Sequence, residues 1–319
     1  MYDVISIGSA TVDIIVKSDQ FIYTKDSIGV TPSSKNEVKQ GVICSGGGAT
    51  NSSVALSRLG FKTACCALMG NDVLRYFIRK DLKDNGVSRS LLIHPKLETT
   101  DYSVLLVGDN GNRSALTNRG KNCLQYKQIP WKKLKKAKWF FITTIKGNMD
   151  LLEQLIGFAV ENNIGITLNP GRRELIARNK LLPLIKYVDF LLLNKTEAEI
   201  ITNKKFENSD FWDKLLSYGA KINSVTNGRD GAYICTTEQK LYSPIINLAP
   251  VNANGAGDSF GSAVTAALLY KKDLKTALTW GITNSASVVS YLGPKEGLLT
   301  YKKINHYASK TRKTKKSKN

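Results

Sequence analysis

The chain has 319 residues, 42% of them hydrophobic, and a formal net charge of +20. This length and apolar content predict one large globular unit with a small appendage, and they exclude a chain that is disordered throughout. The strong positive charge raises the question of nucleic acid or an acidic membrane surface as a partner.

The N-terminus and the cysteines exclude further classes. Residues 1–16 are apolar but lack a basic flank, and Asp3 and Asp13 interrupt them before a signal peptide or membrane span is complete. The five cysteines contain no CxxC pair, and their spacing suits neither a disulfide framework nor a zinc site. We expect reduced, mostly buried thiols in a cytoplasmic, soluble protein without membrane association.

Two separated stretches, residues 13–41 and 97–120, carry short strand patterns without helical periodicity. In the second stretch, residues 99–107 alternate in hydrophobicity and end in the turn sequence of residues 108–111, which is a strong hairpin signal. A returning strand is expected at residues 114–117. We predict that these segments form a small β-sheet that acts as a lid.

Elsewhere strand and helix patterns alternate, which predicts a mainly parallel sheet covered on both faces. The strand patterns lie at residues 4–7, 63–68, 139–143, 165–168, 190–193 and 224–226. The helical patterns lie at residues 51–59, 73–85, 151–162, 180–185, 197–201 and 210–218. The large α/β domain is expected to comprise residues 1–12, 42–96 and 121–305, with ligands at the carboxyl ends of its strands.

Two lysine-rich segments account for much of the positive charge: residues 131–139 and the tail of residues 306–319. Charge runs are usually solvated, so we expect a solvated helix face and a disordered basic tail. Weak association with RNA or a membrane surface through the tail is the alternative, and no aromatic-rich binding module supports it.

The sharpest chemical signal is at residues 254–260, where small residues precede an apolar helical run. Small residues let backbone amides approach a ligand, and a helix that starts there directs unpaired N–H groups and its positive dipole end at that ligand. Asp258 would repel a bound phosphate, but it can take a proton from an attacking hydroxyl. The segment predicts an anion hole with a general base, as phosphoryl transfer requires. A glycine-rich cap with a structural aspartate is the alternative.

The same residues resemble the C-terminal signature of the ribokinase-like (PfkB) carbohydrate kinase family. Further segments are similar to motifs of that family, in the same order: residues 8–13, 46–51, 120–122, 194–197 and 226–232. The likeness extends from about Met1 to Thr300, and several ordered motifs are more specific than one glycine run. It implies the ribokinase-like three-layer α/β fold with a mainly parallel central sheet and a small β lid. It also implies ATP-dependent phosphoryl transfer to a hydroxyl of a sugar or sugar derivative.

Carried onto this sequence residue by residue, the resemblance implies three groups of site residues and a metal. The catalytic group is Asp258 as base, with the backbone amides of Gly255, Ala256 and Gly257 as the anion hole. The substrate-binding group is Asp13, Gly47, Gly48, Asn51 and Asn122. The nucleotide-binding group is Asn194, Thr226, Gly228, Gly231 and Asn284. Glu197 would organise water around Mg²⁺.

Two departures from the family pattern are visible. Asn252 stands where relatives commonly have an aspartate, in a region that helps several of them hold a monovalent cation, so K⁺ activation is in doubt. Asn169 stands where relatives often carry an aspartate. Neither change alters the base or the anion hole, so we expect activity to survive.

Each substrate or metal role has a structural alternative. Asp13 could simply end a strand, Asn51 could be the N-cap of its helix, and Glu197 could be a first-turn acid that favours the helix dipole. Neither histidine is well placed for catalysis, since His94 precedes a proline and His306 lies beside the basic tail.

Competing functions also remain. A nucleoside kinase of the same family is the main rival, with Phe21, Tyr23 and Tyr102 as candidates to stack on a base. A non-catalytic sugar- or nucleotide-binding regulator is the second alternative. An exposed lid sheet would offer an edge for pairing with a second subunit, which predicts a homodimer.

Overall fold

The computed structural model describes residues 1–24, 27–96, 98–108, 113–120, 123–246, 248 and 250–316. Its strands are β1 Tyr2–Ser9, β2 Thr11–Lys17, β3 Ile22–Tyr23, β4 Ile28–Gly29, β5 Gln40–Gly46, β6 Thr63–Leu68, β7 Asp101–Val107, β8 Arg113–Asn118, β9 Ala137–Ile142, β10 Gly165–Leu168, β11 Phe190–Asn194, β12 Ile222–Thr226, β13 Ala232–Cys235 and β14 Lys240–Ser243. Its helices are α1 Gly48–Arg58, α2 Arg75–Asp84, α3 Trp131–Leu134, α4 Met149–Glu161, α5 Arg172–Ile176, α6 Arg178–Ile185, α7 Lys195–Thr202, α8 Phe211–Leu216, α9 Ala256–Leu269, α10 Leu274–Val289 and α11 Tyr301–Lys316.

The central sheet has eight strands in the order β14-β13-β12-β11-β10-β9-β1-β6. The strands from β12 to β6 in this order are parallel, and β13 and β14 add an antiparallel edge. In β1, Val4 pairs with Thr63 on one side and with Trp139 on the other. A strand covered on both faces needs a nearly continuous apolar run, and residues 4–8 of β1 are all buried, with Ser6 as their polar member. The predicted class, α/β with a mainly parallel sheet, is confirmed.

Helices cover both faces of this sheet, and an apolar core lies under each layer. One core joins the sheet to α4, α6, α7 and α8. The other joins it to α9, α10 and α11, and its largest buried side chains include Phe260 and Trp280. This second layer fixes α9, whose first turn lies at the carboxyl edge of the sheet, where ligands bind in folds of this class.

A second, separate sheet has four strands in the order β5-β2-β7-β8, and it corresponds to the small sheet predicted to act as a lid, which we call the lid below. β2 pairs antiparallel with β5 and parallel with β7, so the sheet is mixed. β7 and β8 pair antiparallel, as the hairpin pattern predicts, while residues 109–111 of the predicted turn lie outside the described residues. Buried and half-buried residues alternate along β7, so the lid has one inner and one outer face.

The structure corrects several expectations about individual elements. Residues 306–316 are helical rather than disordered, because α11 continues to Lys316. Ile304 and Ala308, one helical turn apart, anchor this helix on the core. Helix α1 begins at Gly48 instead of Asn51, and the short helix α5 was not predicted at all.

The cysteines are free thiols, as predicted. Cys65, Cys66 and Cys235 are buried, while Cys44 and Cys123 are half-buried. Burial raises the pKa of the Cys44, Cys65 and Cys235 thiols to about 12, so they stay protonated near neutral pH. Across the described residues, no helix is long and apolar enough to cross a membrane.

Candidate active site

The first turn of α9 forms an open cradle of backbone amides. Gly255 is its N-cap, with φ of 76°, and a Cβ there would lie 2.8 Å from the Pro294 Cβ, so glycine is needed for both conformation and space. Gly257 is exposed, and no atom lies within 4 Å of a Cβ built on it. An anion can therefore approach this turn closely, where the Ala256 N–H makes only a long hydrogen bond of 3.4 Å to the Ala253 carbonyl.

Asp258 lies in that same first turn and is held by Asn51 of α1. The Asn51 Nδ2 donates a hydrogen bond of 2.8 Å to Asp258 Oδ2. Asn51 Oδ1 is buried and has no hydrogen-bond partner among the described residues. Since a buried carbonyl oxygen without a donor is costly, this atom is suited to receive a hydroxyl from a ligand. Asn51 lies inside α1, so it is not the N-cap of that helix.

Asp13 is the second carboxylate of the site and lies in the middle of β2, not at its end. It is almost fully buried and accepts hydrogen bonds from Ser103 Oγ at 2.6 Å and Asn254 Nδ2 at 2.9 Å. Thr11 adds a longer contact of 3.3 Å. A carboxylate has about four acceptor positions, so Asp13 can still accept a hydroxyl of a ligand.

The loop before α1 connects these carboxylates to the central sheet. Gly47 is the N-cap of α1 with φ of 90°, and a Cβ there would lie 2.6 Å from the Ser9 carbonyl oxygen. Ser9 Oγ accepts a hydrogen bond of 3.0 Å from the Gly48 N–H. Both glycines thus let α1 start directly against the end of β1, which aims Asn51 at Asp258.

The pKa of Asp258 is raised above its ordinary value. Burial raises it most, the hydrogen bond from Asn51 lowers it, and the charges of Lys295 and Arg113 lower it while Asp13 raises it. A general base acts in its ionised form, so catalysis by this group would be lost as the pH falls through the raised pKa.

This balance predicts a shift of the pH profile on replacement of Asn51. Asn51→Leu removes a contact that lowers the pKa of Asp258, so the acid limb of kcat/KM is expected to move to higher pH. The position of the limb, measured over a pH series, separates this effect from any loss of substrate affinity. Ser103→Ala, which removes a hydrogen bond to Asp13 only, should leave the limb in place, and a limb unmoved in Asn51→Leu would contradict the prediction.

A cleft of about 300 Å³ adjoins the cradle, which is large enough for part of a nucleotide. Of the predicted nucleotide residues, Thr226, Gly228 and Gly231 line it. The remaining lining residues are Arg229, Ala232, Ile245, Ile246, Leu248, Pro250, Ala253, Ala256, Gly257, Phe260, Ile282, Ser285, Ala286 and Val289. The cleft is mostly apolar and reaches the first turn of α9.

Asn284, which was predicted to bind the nucleotide, does not lie at the cleft. Its side chain is completely buried, donates to the Ser259 carbonyl at 2.9 Å and accepts from the Leu299 N–H at 3.0 Å. One residue further along α10, the helical rotation brings Ser285 to the cleft instead. Asn284 therefore braces α9 and α10 and does not line the cleft.

A neighbouring cleft of about 390 Å³ contains Glu197 and Asn194, and it shares Thr226 and Gly228 with the first cleft. Asn194 and Glu197 form a capping box: the Asn194 Oδ1 accepts from the Glu197 N–H and the Glu197 Oε2 from the Asn194 N–H, both at 2.9 Å. Glu197 therefore has the structural role considered as an alternative above: it is an acid in the first turn of α7 and helps to cap that helix. Burial raises the pKa of Glu197, and the charge of Asp258 raises it further.

The acceptor side of the site is incompletely described, since Asn122 lies outside the described residues. Beside it, the Gly120 N–H donates to Asp101 Oδ1 at 2.7 Å, and Lys146 pairs with Asp101 at 2.8 Å. Asp101 and Lys146 line a small hollow together with Ser9 at the end of β1.

Several residues that build the site escaped the sequence analysis. Asn254 and Ser103 hold Asp13, and Lys295 is a buried ammonium that donates to the Ser45 carbonyl at 2.6 Å and pairs with Asp81 at 3.0 Å. Asn254 directly precedes the glycine motif, which could have marked it. Nothing in the local sequence marks Lys295, because all its partners come from distant segments.

The open first turn of α9, the carboxylate of Asp258 and the cleft beside them lie together at one edge of the sheet, an arrangement that suits a phosphotransferase of the α/β class. The chain belongs to the pfkB family of carbohydrate kinases, whose family model matches residues 1–300. Its class of activity is therefore that of an ATP-dependent carbohydrate kinase.

Individual relatives cover nearly the whole chain. Ribokinase of Bacillus subtilis (strain 168) is 25% identical over 311 residues, covering 97% of this chain and 100% of that protein. Nucleoside kinase of Methanocaldococcus jannaschii is 24% identical over 307 residues, covering 95% and 96%. A crystal structure of an Escherichia coli protein, described as a candidate ribokinase II in complex with ATP and Mg²⁺, matches with a TM-score of 0.82 at 20% identity, covering 97% and 100%, which shows a shared fold.

Proposed function

We propose that this protein transfers the γ-phosphoryl group of ATP to a hydroxyl of a sugar or sugar derivative, with Asp258 as the general base. The observation that carries the proposal is the hydrogen bond from Asn51 to Asp258, together with the buried Asn51 Oδ1, which has no hydrogen-bond partner among the described residues. The acceptor hydroxyl would lie against these two side chains, and Asp13 would hold a second hydroxyl.

The reaction follows from this arrangement. Asp258 takes the proton of the acceptor hydroxyl, the oxygen attacks the γ-phosphorus, and the bond to the bridging oxygen of ADP breaks. The amides of residues 255–257 stabilise the negative charge of the transferring group, which is where catalytic energy is usually gained. The lid excludes water and so limits wasteful hydrolysis of ATP.

Magnesium fits the residues present. The described residues contain no group of three or more metal-binding side chains that could hold a metal ion by itself. Mg²⁺ keeps several waters and is usually bound through one or two carboxylates and the substrate phosphates. Glu197, whose pKa is raised by burial and by Asp258, would hold such an ion through water, and the ion would neutralise phosphate charge.

We propose that K⁺ is not required. Asn252 is buried, and its Nδ2 donates to the Leu292 carbonyl at 2.6 Å. The Asn252 side chain thus places an N–H donor where relatives commonly have a carboxylate. This donor already binds the Leu292 carbonyl oxygen in the adjoining loop.

A nucleoside acceptor is the second candidate, supported by the likeness to a nucleoside kinase. The stacking residues suggested for a base do not favour it. Tyr102 lies on the outer face of the lid and packs with the core under α2, and Phe21 is buried. The Tyr23 side chain lies outside the described residues. A sugar without a base therefore suits the described site better.

The test is ATP consumption with Mg²⁺, with and without K⁺, across pentoses, hexoses, sugar acids and nucleosides. A signal that depends on one acceptor, is independent of K⁺ and is lost in Asp258→Asn would support the proposal. A signal with nucleosides alone would select the second candidate. Silence across the panel with nucleotide binding retained would instead support a non-catalytic regulator.

We also propose that the outer face of the lid pairs with a second copy of the chain. Ile43, Ile14, Val104 and Leu116 form one row across all four strands. Ile43 and Leu116 are 52% and 64% exposed. An apolar row across a sheet is suited to a symmetric interface, in which the same patch serves both subunits.

Leu116→Lys is expected to weaken this dimer, because the row would then carry a charge at the interface. Light scattering over a concentration series should show dimer mass for the wild type and monomer mass for the variant. Val160→Lys, which charges an exposed aliphatic position of α4, is the matched control and should remain dimeric. Monomer mass for the wild type would rule the dimer out.

A further inference from the structure

Arg113 is an arginine of the lid that faces the reaction centre. It pairs with Val107 across β7 and β8, and Val107 belongs to the inner, buried row of β7. This register places Arg113 on the inner face of the lid instead of the outer face. Its Nη1 lies 3.5 Å from Asn252 Oδ1, on the loop that leads into the anion cradle.

The guanidinium keeps most of its hydrogen-bonding capacity. It makes no ion pair with any described residue, and the contact to Asn252 is long and shared, since the Asn254 N–H donates to the same Oδ1 at 3.1 Å. A guanidinium has five N–H donors in a rigid fork. At least one edge of this fork is therefore available to a ligand in the cleft.

The Arg113 guanidinium also interacts electrostatically with both carboxylates of the site, Asp13 and Asp258. Partial desolvation lowers the pKa of the Arg113 guanidinium, while the charges of Asp13 and Asp258 raise it. Arg113 in turn lowers the pKa of Asp258. The arginine thus lies within electrostatic reach of the base and of the side chain proposed to hold the acceptor, without closing a salt bridge to either.

A phosphoryl group entering this site brings negative charge next to Asp13 and Asp258. The cradle of α9 supplies amides on one side only, and these carry partial charges. A full positive charge with planar, bidentate geometry matches phosphoryl oxygens and is effective where charge spreads over them in the transition state.

We propose that Arg113 is a further catalytic residue, which the lid carries onto the oxygens of the transferring γ-phosphoryl group. The inference rests on the proposed function of the site. It makes the lid a part of the catalytic machinery, because the guanidinium reaches the phosphoryl group only while the lid covers the cleft.

Nucleotide binding tests the contact without knowledge of the acceptor. In calorimetry with Mg²⁺, Arg113→Gln is expected to bind the non-hydrolysable ATP analogue AMP-PNP roughly tenfold more weakly than the wild type, the scale of one charge-assisted contact, while ADP binding stays unchanged. Arg119→Gln removes the same charge just beyond the end of β8 and should change neither affinity. An equal loss for both nucleotides, or no loss for either, would overturn the proposal.

Turnover gives a second, independent readout once an acceptor is known. Arg113→Gln should lower kcat by roughly 10²- to 10³-fold, at or below the range of known arginine fingers, and leave the KM of the acceptor unchanged. Arg113→Lys should recover only part of this loss, because lysine lacks the fork.

A raised acceptor KM with unchanged kcat would mean that Arg113 binds an anionic group of the acceptor, and it would overturn the proposal. A wild type that binds no nucleotide would overturn the proposed function itself, and this failure is distinct because it precedes any variant.

Discussion

Asp258→Asn is expected to lower kcat by roughly 10²- to 10⁴-fold, which is the usual contribution of a positioned general base. Asparagine keeps the size of the side chain, so the first turn of α9 and the cleft beside it should stay intact. The Asn51 Nδ2 would then face an amide that cannot take a proton. ATP consumption at saturating acceptor measures the loss.

The control separates loss of the base from loss of structure. Asp258→Asn should bind ADP as tightly as the wild type and unfold at the same temperature, or slightly higher, because a half-buried carboxylate with a raised pKa is replaced by a neutral group. Asp150→Asn changes an exposed acid in the first turn of α4 and should leave kcat unaltered. Retained turnover in Asp258→Asn would show that another group accepts the proton.

Lys295→Met is expected to lower the free energy of unfolding by about 3 kcal/mol, the lower end of the cost of breaking a buried ion pair. The Lys295 side chain is 8% exposed and the Asp81 side chain 26% exposed, so the remaining carboxylate would be only partly solvated. The Ser45 carbonyl and Thr50 Oγ1 would lose a donor as well. Urea unfolding of the two proteins measures the difference.

A double variant distinguishes a lost ion pair from a general packing defect. Lys295→Met combined with Asp81→Leu removes both charges, so it should recover a part of the stability lost in the single variant. Lys275→Met, in the exposed first turn of α10, is the control and should change stability by less than about 0.5 kcal/mol. A double variant that is less stable than the sum of both single variants would contradict the ion-pair explanation.

The parts of the site that could be predicted are those encoded by short segments. Gly255, Ala256, Gly257 and Asp258 lie within one turn at the start of a helix, so the sequence places the proposed cradle and the proposed base together. Asn194 and Glu197 are likewise joined by a capping box within one turn. Alternation along residues 101–107 separates the two faces of the lid.

The C-terminal segment carries a local signal for a helix. Charge and composition favoured disorder there, yet lysine is a good helix former, and Ile304 and Ala308 recur at helical spacing. Both residues are buried on the core, which gives α11 a partner.

Asn284 shows the opposite case. The family resemblance points to the correct helix, but the rotation of the helix between positions 284 and 285 decides which of the two side chains lines the cleft.

The sequence by itself determined the alternation of strands and helices, the lid strands, and the motif that joins the proposed anion cradle to the proposed base. These follow from hydrophobic period, turn residues and helix-start residues, all of which act over a few positions. Only the tertiary structure decided which side chains meet: Asn254 reaches Asp13 across 241 positions, Lys295 reaches Ser45 across 250, and Arg113 reaches Asn252 across 139. Such contacts depend on the order and register in which sheets and helices pack, and no local pattern carries that information.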